Sequence, residues 1–210
     1  THVIVGAPYE DSVASNGSGQ GAAYIFDKST GALVHSLQKG QYNLEGNDNF
    51  GKAVAIDGNY AVIGAPNEDQ NPQSHYDNGG AVYFYDVTTG NMFYNMQSSE
   101  FNVVSNFGES VDISGDYAIM GAPGDTNNQT TGGRAYLYHI PTNTRLVLNN
   151  PVSPTAGDQF GYSVAISGDY AVVGARYKDV SGTNTGKVHV YKVSTGSLLY
   201  HLDNPNAYGT

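Results

Sequence analysis

Carboxylates recur in this chain a few residues past a repeated Gly-Ala step: Glu10 and Asp11, Glu68 and Asp69, Asp125, and Asp179. Gathered at one end of a fold, they would form a ring of oxygen ligands for calcium or a cationic partner. The plainer chemistry is solubilising charge, with Asx turns that cap strand ends. No loop carries the D-x-D-x-D-G series of an EF-hand, which favours the plainer reading. His75 shares a loop with Glu68, Asp69 and Asp77, a set with metal-ligand character, though a loop histidine is more often simply solvated. Tyr9, Tyr42, Tyr76 and Tyr177 fall in polar stretches, where a phenol ring can stack on a sugar or a peptide side chain.

The sequence has no G-x-S-x-G elbow, no H-E-x-x-H, no P-loop, and no Ser/His/Asp set at recurring positions. The expectation is a non-enzymatic chain with no catalytic residue, no metal and no other cofactor assigned. A carbohydrate-active hydrolase is the minor alternative, because carboxylate pairs arise in any acidic chain.

Nine Lys+Arg against 19 Asp+Glu leave a formal charge of −10 over 210 residues. Nucleic acid and anionic lipid both need a basic face, so neither is expected as a partner. Charged residues are only 13% of the chain, so the polar surface falls to Asn, Ser, Thr, Gly and Gln beside 17 Tyr, a mixture suited to exposed β structure. The absence of Cys rules out disulfides, thiol catalysis and Cys-type zinc sites. No apolar run approaches the roughly 18 residues of a membrane span, so no membrane insertion is expected. No signal peptide is recognisable, and a start at Thr1 without Met reads as a processed or excerpted piece of something longer.

The elements that must position these residues come from a repeat. QFGYSVAISGDYAVVGAR at 159–176 has copies at 49–66 and 106–123, and a headless copy, VIVGAP, at 3–8. Gly6, Gly64, Gly121 and Gly174 stand 58, 57 and 53 residues apart, a spacing that marks a repeat architecture. Each unit divides into four short strands. Strand one covers 52–56, 110–113 and 162–166, and tight turns at Gly58, Gly115 and Gly168 lead to strand two at 3–5, 60–63, 117–120 and 170–173. Strand two is apolar on consecutive positions, which predicts cover on both faces. Strand three (22–26, 81–85, 134–138, 187–191) places Tyr24, Tyr83, Tyr136 and His189 in one register, and strand four covers 33–37, 92–96, 144–148 and 198–202. The prediction is an all-β propeller of four-stranded antiparallel blades. Its units are 1–38 (a partial first blade, lacking its innermost strand), 39–97, 98–149 and 150–210, the last including a tail. Phe50, Phe107 and Phe160 are the wedges between blades. Gly51, Gly108 and Gly161 remove the Cβ that would hold the backbones apart. The Gly-Ala-Pro step turns the chain, with Pro preventing the strand from continuing.

On these residues the chain resembles the FG-GAP repeat family, found in the integrin α-subunit propeller and in many bacterial surface and secreted proteins. Phe50-Gly51, Phe107-Gly108 and Phe160-Gly161 match the first half of the motif. Gly6-Ala7-Pro8, Gly64-Ala65-Pro66 and Gly121-Ala122-Pro123 match the second, with Gly174-Ala175-Arg176 departing by one residue. The resemblance implies an extracellular or cell-surface propeller used for adhesion or ligand binding. Integrin-type repeats carry a DxDxDG calcium loop between strands one and two. Here that connection is a tight turn at Asp57, Asp116 or Asp169, so the calcium site is not carried over.

In a meander, the one-two and three-four connections share one end and the two-three and four-one connections share the other. The first set is short. The second is long and polar: 9–20, 67–79, 124–132 and 177–185, with 38–48, 97–105 and 149–158. Long loops gathered on a rigid scaffold are where binding usually sits. The expected partner is a protein or glycan ligand on a cell or matrix surface. The incomplete first blade leaves three arrangements open: part of a larger propeller, a compact four-bladed ring, or a homo-oligomer or filament completed by neighbouring strands.

Overall fold

The computed structural model of the chain describes residues 1–11, 19–39, 47–69, 78–97, 104–126, 132–151, 155, 157–178 and 185–205. Among them there is strand and turn but no helix. Strands β1 (His2–Ala7), β2 (Ala22–Asp27) and β3 (Leu33–Leu37) form a three-stranded sheet. Three four-stranded sheets follow. They are β4 (Ala53–Asp57), β5 (Tyr60–Ala65), β6 (Ala81–Asp86) and β7 (Met92–Gln97); then β8 (Val111–Ser114), β9 (Tyr117–Ala122), β10 (Arg134–His139) and β11 (Thr144–Asn149); then β12 (Phe160–Ser167), β13 (Tyr170–Ala175), β14 (Lys187–Lys192) and β15 (Ser197–Asp203). Spatial order equals chain order in each sheet, and all pairings are antiparallel. These are the blades of a β-propeller, the first short of one strand as the repeat predicts. The first strands of successive blades meet, with β8 lying between β4 and β12, and β1 rests against β4.

The hairpins joining first and second strands turn on Gly58, Gly115 and Gly168, at φ of 55°, 57° and 53°, a left-handed conformation that glycine adopts without steric cost. These turns are also linked from blade to blade. The Gly115 N–H donates to Asp57 Oδ2 at 2.7 Å, and the Gly168 N–H donates to Ser114 Oγ at 3.1 Å. At their other end, β1, β5, β9 and β13 stop at Ala7, Ala65, Ala122 and Ala175. Proline is not the common cause, because β13 stops at the same place with Arg176 following. In all four copies a tight turn ends the strand: the N–H of Glu10, Glu68, Asp125 or Lys178 donates to that alanine's carbonyl at 3.1–3.3 Å.

The core lies between blades rather than within them. Ala23, Ile25 and Leu37 of the first blade close over Phe50, which packs on Tyr83 and Tyr85 of the second. Phe107 and Phe160 repeat the arrangement at the next two interfaces. All three phenylalanines are completely buried, each contributing roughly 2–3 kcal/mol of transfer free energy. Each also joins the blade before it through a parallel bridge: Phe50 with Gly21, Phe107 with Gly80 and Phe160 with Gly133. At Gly51 (φ 90°) a Cβ would stand 2.2 Å from the carbonyl oxygen of Ala22, so backbone occupies the space a side chain would need.

Two expectations need correction. Cover on both faces holds for β5 and β9, buried from Ala61 to Ala65 and from Ala118 to Ala122. It fails for β1, which alternates between exposed and half-buried positions without a fully buried one, and for β13, where buried positions alternate with exposed or half-buried ones, because among the described residues no blade packs on the outward face of the first or the fourth sheet. The fourth blade's first strand is also longer than its hydrophobic run, starting at Phe160 with a bulge between Phe160 and Ser163.

Candidate functional site: the long-loop end

Each two-three connection leaves the sheet at the turn after β1, β5, β9 or β13 and returns through a glycine. The N–H of Gly21, Gly80, Gly133 and Gly186 donates to the carbonyl of Glu10, Glu68, Asp125 and Lys178 at 2.9–3.1 Å, closing each loop at its base. The four-one connections are tied to the same place. The N–H of Asn67, Gly124 and Tyr177 donates to the carbonyl of Asp48, Ser105 and Asp158, two residues ahead of each wedge phenylalanine. Both families of long connection therefore spring from one hydrogen-bonded platform, at the opposite end of the strands from the Gly58, Gly115 and Gly168 turns.

The recurring acids are inside this platform. Glu68 is 3% exposed and Asp125 is fully buried, while Glu10 is half-buried. Each accepts a hydrogen bond from the tyrosine of strand three: Tyr24 Oη to Glu10 at 2.5 Å, Tyr83 Oη to Glu68 at 2.6 Å and Tyr136 Oη to Asp125 at 2.5 Å. Arg134 adds a second contact to Asp125 at 3.3 Å. The second acid of each pair clasps the loop. Asp11 Oδ1 accepts from the Gly19 N–H at 2.7 Å, and Asp69 Oδ1 accepts from the Asn78 N–H at 3.0 Å. Neither solubilising charge nor a ring of outward-facing ligands describes Glu68 and Asp125, which fasten loop to strand. Burial pushes the Glu68 carboxyl above its usual range against the pull of Lys39, Tyr83 and Gln97, and burial beside Glu68 raises the Tyr83 phenol.

Sequence reasoning missed a second set. Asp48 and Asp158 both stand two residues before a wedge phenylalanine, and both are buried. Lys39 pairs with Asp48, whose carboxyl burial nevertheless pushes up to about 7. Asp158 accepts from Asn150 Nδ2 at 2.8 Å, Lys178 Nζ at 3.0 Å and the Thr155 N–H at 2.9 Å. Burial alone would raise Asp158; its hydrogen bonds to Thr155 and Lys178 outweigh that and hold it below the usual carboxylate range. Lys178, not Asp179, occupies the register of Glu10, Glu68 and Asp125, and it faces His189, not a tyrosine. His189 is fully buried, edge-on to Phe160 at 5.4 Å, and burial among Lys187, His201 and Lys178 pushes it down to about 4.

The remaining candidates divide. Tyr9 is 75% exposed at the mouth of the first loop. Tyr177 is exposed in the fourth blade, where the Arg176 guanidinium lies 4.5 Å from its ring and 3.6 Å from that of Tyr162. His75, Tyr76 and Asp179, with Tyr42, lie outside the described residues. Among the described residues no three His, Asp or Glu side chains converge as they would on a metal ion.

Three stretches of the chain, 43–85, 99–138 and 153–191, match the family model described as FG-GAP repeat, and together they make up more than half of it. No curated protein matches the chain. With the paired Phe-Gly and Gly-Ala motifs at each blade interface and three matched repeats, the chain belongs to the FG-GAP repeat family.

Proposed function

We propose that this chain is a non-enzymatic binding module that uses the long loops at one end of its propeller to hold a protein or glycan on a cell or matrix surface outside the cell. The observation that carries the reading is the platform itself. Tyrosine–carboxylate bonds in the first three blades and a backbone clasp in all four hold the bases of the two-three loops in place, leaving the loops between them free to differ in length and content. Exposed Tyr9 and Tyr177 sit at the loop mouths, where amphipathic rings give contact area at little entropic cost. The test replaces 70–77 with a Gly-Ser linker and screens both forms against glycan arrays and cell surfaces. Loss of binding is the expected result, with binding unchanged by substitutions in the Asp57-Gly58-Asn59 turn. Binding that survives the loop replacement and fails on the turn edits would reverse the assignment of ends.

A second reading, a repeat subunit completed by its neighbours, has its own observation. Val3 and Val5 on the first blade and Leu202 on the fourth are 43–56% exposed on the outward faces of the end blades.

A further inference from the structure

On the outer wall of the propeller the third blade differs from the other three. β3, β7, β11 and β15 are the outermost strands of their sheets, so each has a row of backbone N–H and C=O groups facing away from the sheet. In three of them the pairing register shifts, between Ile25 and Phe26, between Phe84 and Tyr85, and between Val190 and Tyr191. Such an irregularity bends and twists an edge and keeps other strands off it. β11 has none: Arg134 to His139 pair with Asn149 to Thr144 without a break. Among the described residues no strand pairs with its outer side. It presents Leu146 and Val147, 40% and 44% exposed, with Arg145 exposed beside them.

A pocket adjoins this edge, between the third and fourth blades. His35, Tyr94 and Leu146 share a register, opposite Ile25, Phe84 and Leu137 of strand three. The His35 ring lies against the second blade's turn, 2.6 Å from where a Cβ on Gly90 would stand. The Tyr94 ring stacks on Tyr138 of the third blade at 5.4 Å. Leu146 approaches the fourth blade's turn at Gly196 but brings no ring. A pocket of about 170 Å³ stays open between Tyr117, Leu137, His139, Thr144, Leu146 and Ser194. The Tyr117 and His139 rings pack together at 4.5 Å along one side of it.

We propose that the free edge of β11 docks an extended segment of a partner protein in which a large apolar side chain stands next to an acidic one. Main-chain hydrogen bonds to the edge hold such a segment, and side chains on alternate faces select it. Successive residues of a strand point to opposite faces. Leu146 and the pocket lie on the face towards the fourth blade, and Arg145 lies on the other. The residue opposite Leu146 therefore comes to the pocket, which has room for one large apolar side chain, and its neighbour in the segment faces Arg145. Among the described residues no carboxylate pairs with Arg145, whose guanidinium lies 5.3 Å from the Tyr136 ring, so an acid there gains an ion pair without displacing one. The edge of a second copy does not meet this rule, because β11 itself, TRLVLN, has no acid. The site is on the outer wall and is independent of the loop-end reading.

The probe is a phage-displayed library of short linear peptides, panned on the chain, with the strongest binder synthesised and labelled for anisotropy. The expected binder carries Phe, Leu or Ile next to Asp or Glu, and its binding slows amide exchange in 144–149 but not in 33–37 or 92–97. Arg145→Glu is expected to weaken it about tenfold or more, and changing the peptide's acid to lysine is expected to restore the affinity. Leu146→Asp, at an exposed position, is expected to weaken it as much while the thermal melt stays that of the parent. No enriched peptide, protection outside 144–149, or an affinity that Arg145→Glu leaves unchanged overturns the proposal. So does a dimer in sedimentation that Leu146→Asp dissociates, since the edge would then belong to a second copy.

Discussion

At position 189 a histidine stands where three other blades carry a tyrosine, and at position 178 a lysine stands where they carry an acid. The two changes go together. A phenol donating to a carboxylate in blades one to three has been replaced by a buried neutral imidazole beside an ammonium that turns to Asp158 instead. Neither imidazole nitrogen has a hydrogen-bond partner among the described residues. With its pKa pushed down to about 4 in the fold, against 6.5 unfolded, His189 takes up its proton more readily in the unfolded chain. Its contribution to stability is therefore complete above about pH 6.5 and is lost as pH falls towards about 4, by something on the order of 2–3 kcal/mol. Asp48, pushed up to about 7, works in the opposite sense, gaining stability as it protonates. The clean measurement is a difference: urea unfolding of the parent and of His189→Tyr at pH 7 and pH 4.5. The parent is expected to lose more on acidification, and equal losses would remove the assigned role. The burial of the acids was not legible in the sequence, since Asp and Glu in a polar loop read as solvated. What could have revealed it is the paired register, because the acid after the Gly-Ala turn and the tyrosine of strand three change type in the same blade.

At the scale of the element, the strands were legible because three tests agreed on them: apolar runs of strand length, glycine turns between them, and repetition in register. The alignment of copies showed the wedge glycines as well, but not how little room they leave. Gly51 and Gly58 separate the two uses of the residue. Both have positive φ, yet a Cβ on Gly58 meets nothing within 4 Å while one on Gly51 would meet backbone at 2.2 Å. Gly58→Ala is expected to cost about 1 kcal/mol, the backbone term alone. Gly51→Ala adds displacement of the first blade and is expected to cost about 3 kcal/mol or more, read from denaturation midpoints. Similar costs for the two would mean the blades are not held at the spacing described. Where sequence reasoning failed at this scale, it failed at the ends. A strand reads as covered from its own residues, but cover is supplied by the neighbouring blade, and among the described residues β1 and β13 have none on one side.

At the scale of the molecule, three apolar layers alternate with four sheets among the described residues, and each layer draws its residues from two blades. Stability in such an array is close to a sum over neighbouring pairs. Phe107 lies in the middle layer, between the second and third blades, so Phe107→Ala is expected to cost roughly 3–5 kcal/mol. It should also split one calorimetric transition into two, as the halves melt separately. A single sharp transition at the parent temperature would show that the layers are not the cooperative links. The clasp at each loop base has a different consequence. Because Gly80 and Asn78 are pinned back to Glu68 and Asp69, whatever is spliced between those anchors adds little to the closure entropy beyond its length. Foreign cassettes grafted there should leave the melting temperature nearly unmoved, so selection could rewrite specificity in one blade without renegotiating the architecture of the others.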